Sequence, residues 1–213
     1  MMRSRLDNWI CSLEGLSEVT PENLESLQLE RLNSLLLRER ERGGFYSALP
    51  CRLESLSELA ALPFTTAEQL AENVSSMLLC SQAEVSRVIS GSTSGTTGPA
   101  KRVFYTRRDI EHTVGFFAAG IGEFVSSGDT VMIAMPFSGP FGLGDLIAEA
   151  VASLGAAALR TGAGRSLGEL CSELDSAQPE AYIGMSVPLL GLLRYYVNLN
   201  GRLPPLRRAL ISG

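Results

Sequence analysis

The stretch Ser90–Thr106, SGSTSGTTGPAKRVFYT, packs glycine and hydroxyl side chains into one run that closes on a lysine. Of the chain's 18 basic side chains 17 are arginine, and Lys101 is the only lysine. Arginine can replace lysine as a plain surface cation, but not where a compact ammonium must fit among oxygens. The position of this one lysine therefore points to a ligand. Gly91, Gly95 and Gly98 let the backbone approach that ligand closely, while Ser92, Thr93, Ser94, Thr96 and Thr97 add hydroxyl and amide donors. Successive N–H groups of this kind form a nest for an anion, and the anion such a long nest suits is a polyphosphate. Two familiar phosphate patterns do not apply. Counting back from Lys101, Ala100 stands where G-x-x-x-x-G-K-[ST] needs its second glycine, and Arg102 stands where it needs the magnesium-binding hydroxyl. The spacing of Gly91, Gly95 and Gly98 also breaks G-x-G-x-x-G.

The elements that must position this loop fall into two regions. Residues 1–75 read as a helical N-terminal arm. Thr20-Pro21-Glu22 supplies an N-cap, an N1 proline and an early acid, and Leu24, Leu27, Leu32, Leu35 and Leu36 recur at helical spacing up to Gly43-Gly44. Ser55-x-x-Glu58 and Thr65-x-x-Glu68 both match the capping box and predict two short helices around Leu62-Pro63-Phe64. Residues 76–213 read as an α/β nucleotide-binding part. Strands are predicted at 85–89, 102–105, 130–135, 156–159, 181–183 and 208–211, with helices near 107–124, 143–154, 166–176 and 187–199. The alternation predicts an α/β fold: the helical arm, then βα units forming a largely parallel sheet. Because such sheets collect ligands beyond the C-terminal ends of their strands, the loop after residue 89 is expected at a ligand site.

Composition narrows the function. A chain of 213 residues with 45% hydrophobic content can bury a real core. A net charge of -5 and the absence of a basic block argue against a nucleic-acid surface. His112 is the only histidine, and Cys11, Cys51, Cys80 and Cys171 are dispersed, so neither a zinc site nor a Ser-His-Asp triad is expected. His112 reads as a surface or packing residue, and the cysteines as buried or partly buried thiols in a reducing cytoplasm. Leu6-Asp7-Asn8-Trp9 interrupts any signal-peptide core. The apolar run 131–159 holds Pro136, Pro140, Asp145 and Glu149, and reads as a buried strand plus helix instead of a membrane span.

Thr93-Ser94-Gly95-Thr96-Thr97-Gly98-x-x-Lys101 resembles the phosphate-binding signature of the adenylate-forming superfamily, the acyl- and aryl-CoA synthetases and their relatives. The family wording ends Gly-x-Pro-Lys. Here Gly98-Pro99-Ala100-Lys101 has the proline one place early but keeps the lysine spacing. Residues 31–75, including Phe45-Tyr46 and LAALPFTTAE at 59–68, look like the phenylacetate-CoA ligase branch, as does Val103-Phe104-Tyr105-Thr106. The segment 135–144, MPFSGPFGLG, followed by Leu154-Gly155-Ala156, is similar to that branch's stretch near the acyl pocket, and RRALISG at 207–213 to a strand leading toward its adenine site. The likeness spans residues 30–213. Of its parts, the phosphate loop is the sharp motif.

The resemblance implies part of the large N-terminal domain of an ATP-dependent carboxylic acid–CoA ligase. ATP, Mg2+ and coenzyme A are the implied cofactors, and a small carboxylic acid the substrate. Thr93, Ser94, Gly95, Thr96, Thr97, Gly98 and Lys101 would hold the ATP phosphates, with Thr96 and Lys101 acting in catalysis. Phe137, Phe141, Gly142 and Gly144 would shape the acyl pocket, with core packing at a strand-to-helix turn as the rival reading. The family's adenine, ribose and magnesium segments, and the small C-terminal domain with its second lysine, have no counterpart in residues 1–213. A truncated N-terminal part is therefore expected, completed by a missing C-terminal portion or working as a homodimer. Acyl-protein synthetases, ligases that adenylylate a cofactor, and a non-catalytic nucleotide-binding module stay open as alternatives.

Overall fold

The computed structural model describes residues 3–91, 101–137, 142–162 and 164–212. The chain divides into two compact units, Ile10–Asp109 and Met1–Trp9 with Ile110–Gly213.

In the first of these units, α1 (Arg5–Glu14), from Ile10 onward, leads into α2 (Pro21–Arg42). The Thr20 hydroxyl caps α2 by accepting from the Asn23 N–H at 3.2 Å, and Pro21 opens the helix where its missing N–H costs nothing. Gly43 ends it at φ 64°, in the left-handed region glycine enters freely. A 3-10 turn (Leu56–Ala61) carries the expected Ser55–Glu58 capping box. The next box is shifted by one residue: α3 (Ala67–Glu72) is capped by Thr66 with Gln69, not by Thr65 with Glu68. The Thr65 hydroxyl is instead hydrogen-bonded to Tyr46 at 2.6 Å, a contact no local pattern reveals.

Two polar contacts tie the unit together. The Asn33 amide donates to the Leu53 carbonyl at 2.9 Å and accepts from the Leu53 N–H at 2.8 Å. Glu39 is buried at 3% exposure, where it accepts from Arg42 at 2.7 Å and from the Tyr46 N–H at 2.9 Å. Arg42 continues to the carbonyls of Ser76 and Leu78. The hydrogen bond from Arg42, outweighing the opposing effect of burial, holds the Glu39 carboxyl below its ordinary 4.5. A depressed acid stabilises the fold above its unfolded pKa and loses that contribution as pH falls through the folded value. Stability is thus expected to decline below about pH 4.5 in the native protein and to lose part of that slope in Glu39→Gln. At neutral pH the substitution is expected to cost about 1–2 kcal/mol in urea unfolding.

Strands β1 (Val85–Gly91) and β2 (Lys101–Thr106) stand outside the largely parallel sheet that the alternation predicts. They pair antiparallel with each other, from Val85 opposite Thr106 to Gly91 opposite Lys101, as a separate two-stranded sheet. The physical reason lies in the connection. Parallel neighbours need a crossover of about a dozen residues, usually a helix, whereas nine glycine-, serine- and threonine-rich residues return the chain as a hairpin.

The other unit holds α4 (Arg107–Ile121) from Ile110 onward, and then the βα alternation the sequence predicts. The order is β3 (Thr130–Ala134), α5 (Leu143–Ser153), β4 (Ala157–Arg160), α6 (Leu167–Ala177), β5 (Ala181–Met185), α7 (Ser186–Asn200) and β6 (Arg208–Ser212). All four strands are parallel, in the order β4-β3-β5-β6. Successive side chains alternate between faces. Val131, Ile133, Ala181 and Ile183 pack with Ile121, Ile147 and Val151, while Met132 and Tyr182 pack with Leu170, Leu174, Leu192 and Tyr196. So α4 and α5 cover one face, and α6 and α7 the other. The chain leaves β3 toward β4 and leaves β5 in the opposite direction, so the sheet has a topological switch point between β3 and β5.

Among the described residues no helix is long and apolar enough to cross a membrane, and no group of three His, Cys, Asp or Glu side chains is placed to hold a metal. The four cysteines are free thiols. Cys11 and Cys171 are buried and Cys80 is half-buried, but Cys51 is exposed, against the expectation for all four. His112 lies half-buried in α4.

Candidate functional site

The glycine- and hydroxyl-rich loop connects β1 to β2. Thr93, Ser94, Gly95, Thr96, Thr97 and Gly98 lie outside the described residues. Lys101 opens β2 with its backbone opposite Gly91, where the hairpin meets the loop. The last residue of β2, Thr106, then caps α4: its N–H and hydroxyl donate to Asp109 at 2.8 and 2.7 Å, and the Asp109 N–H returns to the Thr106 hydroxyl at 3.2 Å. The loop joins two strands, as the sequence reading placed it, but these strands pair with each other and not within the parallel sheet. It is a hairpin loop whose outgoing strand is pinned at its far end by a helix cap.

The parallel sheet has a cleft of its own, at the C-terminal ends of β3 and β4 and beside the switch point. It is lined by Pro136, Phe137, Arg160, Thr161 and Gly162 and has a volume of about 430 Å³, within the range of roughly 300–1,000 Å³ common for small-molecule sites. The sequence rules place ligands at this end of such strands. Phe137 and Gly144, two of the expected acyl-pocket residues, come together here. The Gly144 N–H donates to the Pro136 carbonyl at 3.0 Å, and a Cβ on Gly144 would stand 2.9 Å from that oxygen and 3.0 Å from the Phe137 ring. Gly142 is buried at the N-cap of α5, and Phe141 lies outside the described residues. Alanine at 144 gains about 0.5–1 kcal/mol of helix propensity but overpacks against backbone and ring, which costs about 1–3 kcal/mol. Gly144→Ala is accordingly expected to lower stability by about 1–2 kcal/mol and to displace Phe137, as a fall in thermal midpoint and shifted Phe137 ring resonances would show.

Arg160, Thr161 and Gly162, which the sequence reading did not name as site residues, complete the lining of this cleft. The Arg160 guanidinium lies over Phe137, 4.3 Å from the ring centroid, and donates to Asp145 in the first turn of α5. Asp145 keeps its second carboxylate oxygen buried and without a partner among the described residues. The Ile133 carbonyl accepts from the N–H groups of Thr161 and Gly162, each at 3.2 Å, and from the Thr161 hydroxyl at 2.9 Å. These bonds turn the chain sharply out of β4. The signal available in the sequence was positional: in a parallel sheet, the residues that end each strand face the ligand edge.

No family model matches the chain. It is 33% identical over 131 residues to phenylacetate-coenzyme A ligase from Aromatoleum evansii, a match covering 57% of this chain and 29% of that protein. Among solved structures it is similar to 2-hydroxyisobutyryl-CoA ligase in complex with 2-HIB-AMP and CoA. The open form matches with TM-score 0.71 and 23% identity over 89% of this chain. The form in the thioesterification state matches with TM-score 0.72 and 24% identity over 91%. In both, the chain covers 44% of the solved protein. It thus spans less than half the length of the relatives it matches. The chain is thus a distant homologue of phenylacetate-CoA ligase over part of its length and has the fold of part of an acyl-CoA ligase N-terminal domain.

Proposed function

We propose that the chain supplies the ATP- and acid-binding part of an ATP-dependent carboxylic acid–CoA ligase. The observation that carries this reading is the residue order from Thr93 to Gly98 with Lys101 at the mouth of the hairpin, in a chain related to such ligases. In the proposed reaction the acid's carboxylate attacks the α-phosphate of ATP, forming an acyl-adenylate and releasing pyrophosphate. A thiol, that of coenzyme A, then displaces AMP to form the thioester. The chain's own contribution is positioning and charge neutralisation. Backbone N–H groups and hydroxyls of residues 93–98 hold the phosphates, Lys101 brings a mobile positive charge, and Mg2+ enters with ATP. Phe137, Gly142 and Gly144 shape the acid's cleft. In this reading residues 1–75 form the helical region and 76–213 the nucleotide-binding part, and the ATP and CoA it uses fit a cytoplasmic setting.

Titration of the purified chain with ATP and Mg2+, followed by pyrophosphate release with a panel of carboxylic acids, tests the proposal. Saturable ATP binding is expected, and its absence would refute the assignment. ATP binding with no acid-dependent pyrophosphate release, even with the remaining ligase segments added in trans, would favour a non-catalytic nucleotide-binding module.

A further inference from the structure

The cleft at the ends of β3 and β4 carries a fixed cation at its rim. Arg160 presents five N–H donors, and its one hydrogen bond among the described residues runs to Asp145. The Arg160 side chain is 50% exposed and that of Asp145 17%, so the cation is the member of the pair that faces the cleft and solvent. Three features hold the guanidinium in place: the Phe137 ring beneath it, the Asp145 carboxylate beside it, and the end of β4 anchored through Thr161 to Ile133. A planar guanidinium pre-organised on an aromatic face matches the two oxygens of a carboxylate better than a mobile ammonium does. Gly162, at φ 72°, adds no side chain on this side of the ring, and Pro136 and Phe137 offer apolar surface for a carbon body.

We propose that Arg160 is the acid-recognition residue of this cleft. It takes the carboxylate of a small organic acid on its free N–H edge, with the acid's carbon body against Phe137 and Pro136. Asp145 positions Arg160 and at the same time offsets its charge, which keeps the affinity for anions moderate. The assignment rests on the reading of this cleft as the acid's site, but binding to Arg160 requires neither ATP nor turnover.

The test is calorimetric or NMR titration of the full chain, without nucleotide, using phenylacetate and its uncharged counterpart phenylacetamide. Phenylacetate is expected to bind saturably and the amide at least tenfold more weakly. Arg160→Leu should lose phenylacetate binding at least tenfold while circular dichroism shows the native fold. Asp145→Asn should tighten it two- to fivefold, because the offsetting charge is gone while the ring stack remains. Opposite signs for these two variants separate ligand recognition from a merely structural ion pair. The proposal is overturned if phenylacetate does not bind, if the amide binds equally, if Arg160→Leu keeps wild-type affinity, or if Asp145→Asn weakens binding as Arg160→Leu does. Failure of the ligase reading is a different result, namely carboxylate binding that persists in a chain with no affinity for ATP.

Discussion

Lys101→Ala is expected to weaken ATP binding roughly 10- to 100-fold, since a charge-assisted hydrogen bond contributes about 1.5–3 kcal/mol. Thr96→Ala removes a neutral hydroxyl donor and is expected to cost less, about 0.5–1.5 kcal/mol. The readout is calorimetric titration with ATP and Mg2+, run beside thermal unfolding of each variant. Lys101 opens β2 beside the loop, and its loss is expected to leave the thermal midpoint in place and separate ligand affinity from folding. Lys101→Arg is the informative control. It keeps the charge but replaces a compact ammonium with a planar fork, and should restore only part of the affinity. Wild-type affinity in both Lys101→Ala and Thr96→Ala would remove the phosphate loop from the proposed site.

Tyr196→Ala should lower stability by about 3–5 kcal/mol, the range for emptying a large buried aromatic site. Tyr196 is fully buried on the face of the sheet covered by α6 and α7, in a cluster with Met132, Leu174, Tyr182 and Leu192. Its hydroxyl reaches Asp175 at 2.5 Å, and Arg202 pairs with the same carboxylate at 3.2 Å. The hydrogen bond to Asp175, followed by burial, pushes the Tyr196 phenol above its ordinary 10.0. A raised acidic pKa means the neutral phenol is favoured in the fold, so this stabilisation holds below pH 10 and fades as pH rises through the folded value. Tyr196→Phe keeps the ring and loses only the hydroxyl. Because Asp175 retains Arg202 and solvent, that change should cost about 1 kcal/mol. Urea unfolding of the three proteins distinguishes the two contributions, and equal destabilisation by Phe and Ala would contradict the packing account.

The four parallel strands and the helices between them were legible because local chemistry and tertiary environment agree there. Val131 and Ile133 face one helix layer, Met132 faces the other, and all three are buried, so a short continuous apolar run was the right signature for a strand covered on both sides. Helix limits were legible where a cap acts locally, as at Thr20, Gly43 and Ser166. The capping box at 65–68 failed by one residue because two overlapping boxes compete there and Tyr46, distant in sequence, takes the Thr65 hydroxyl. The antiparallel pairing of β1 with β2 was not legible for a different reason. Each strand was found, but their mutual direction depends on the connection, and nine residues are too few for the crossover that parallel neighbours need.

By itself the sequence determined the α/β class, the order of elements, the lone lysine and the loop wording that resembles an adenylate-forming signature. Each of these is a matter of residue type and near-neighbour spacing. Tertiary structure alone decided that the loop joins an antiparallel hairpin and that Phe137, Gly144, Asp145 and Arg160 share one cleft. Phe137 and Arg160 are 23 residues apart, with a helix between them. They meet because parallel pairing aligns the ends of β3 and β4, placing Thr161 beside Ile133 and the residues that follow each strand on one rim. Spacing along the chain carries no trace of that meeting, because strand register sets it.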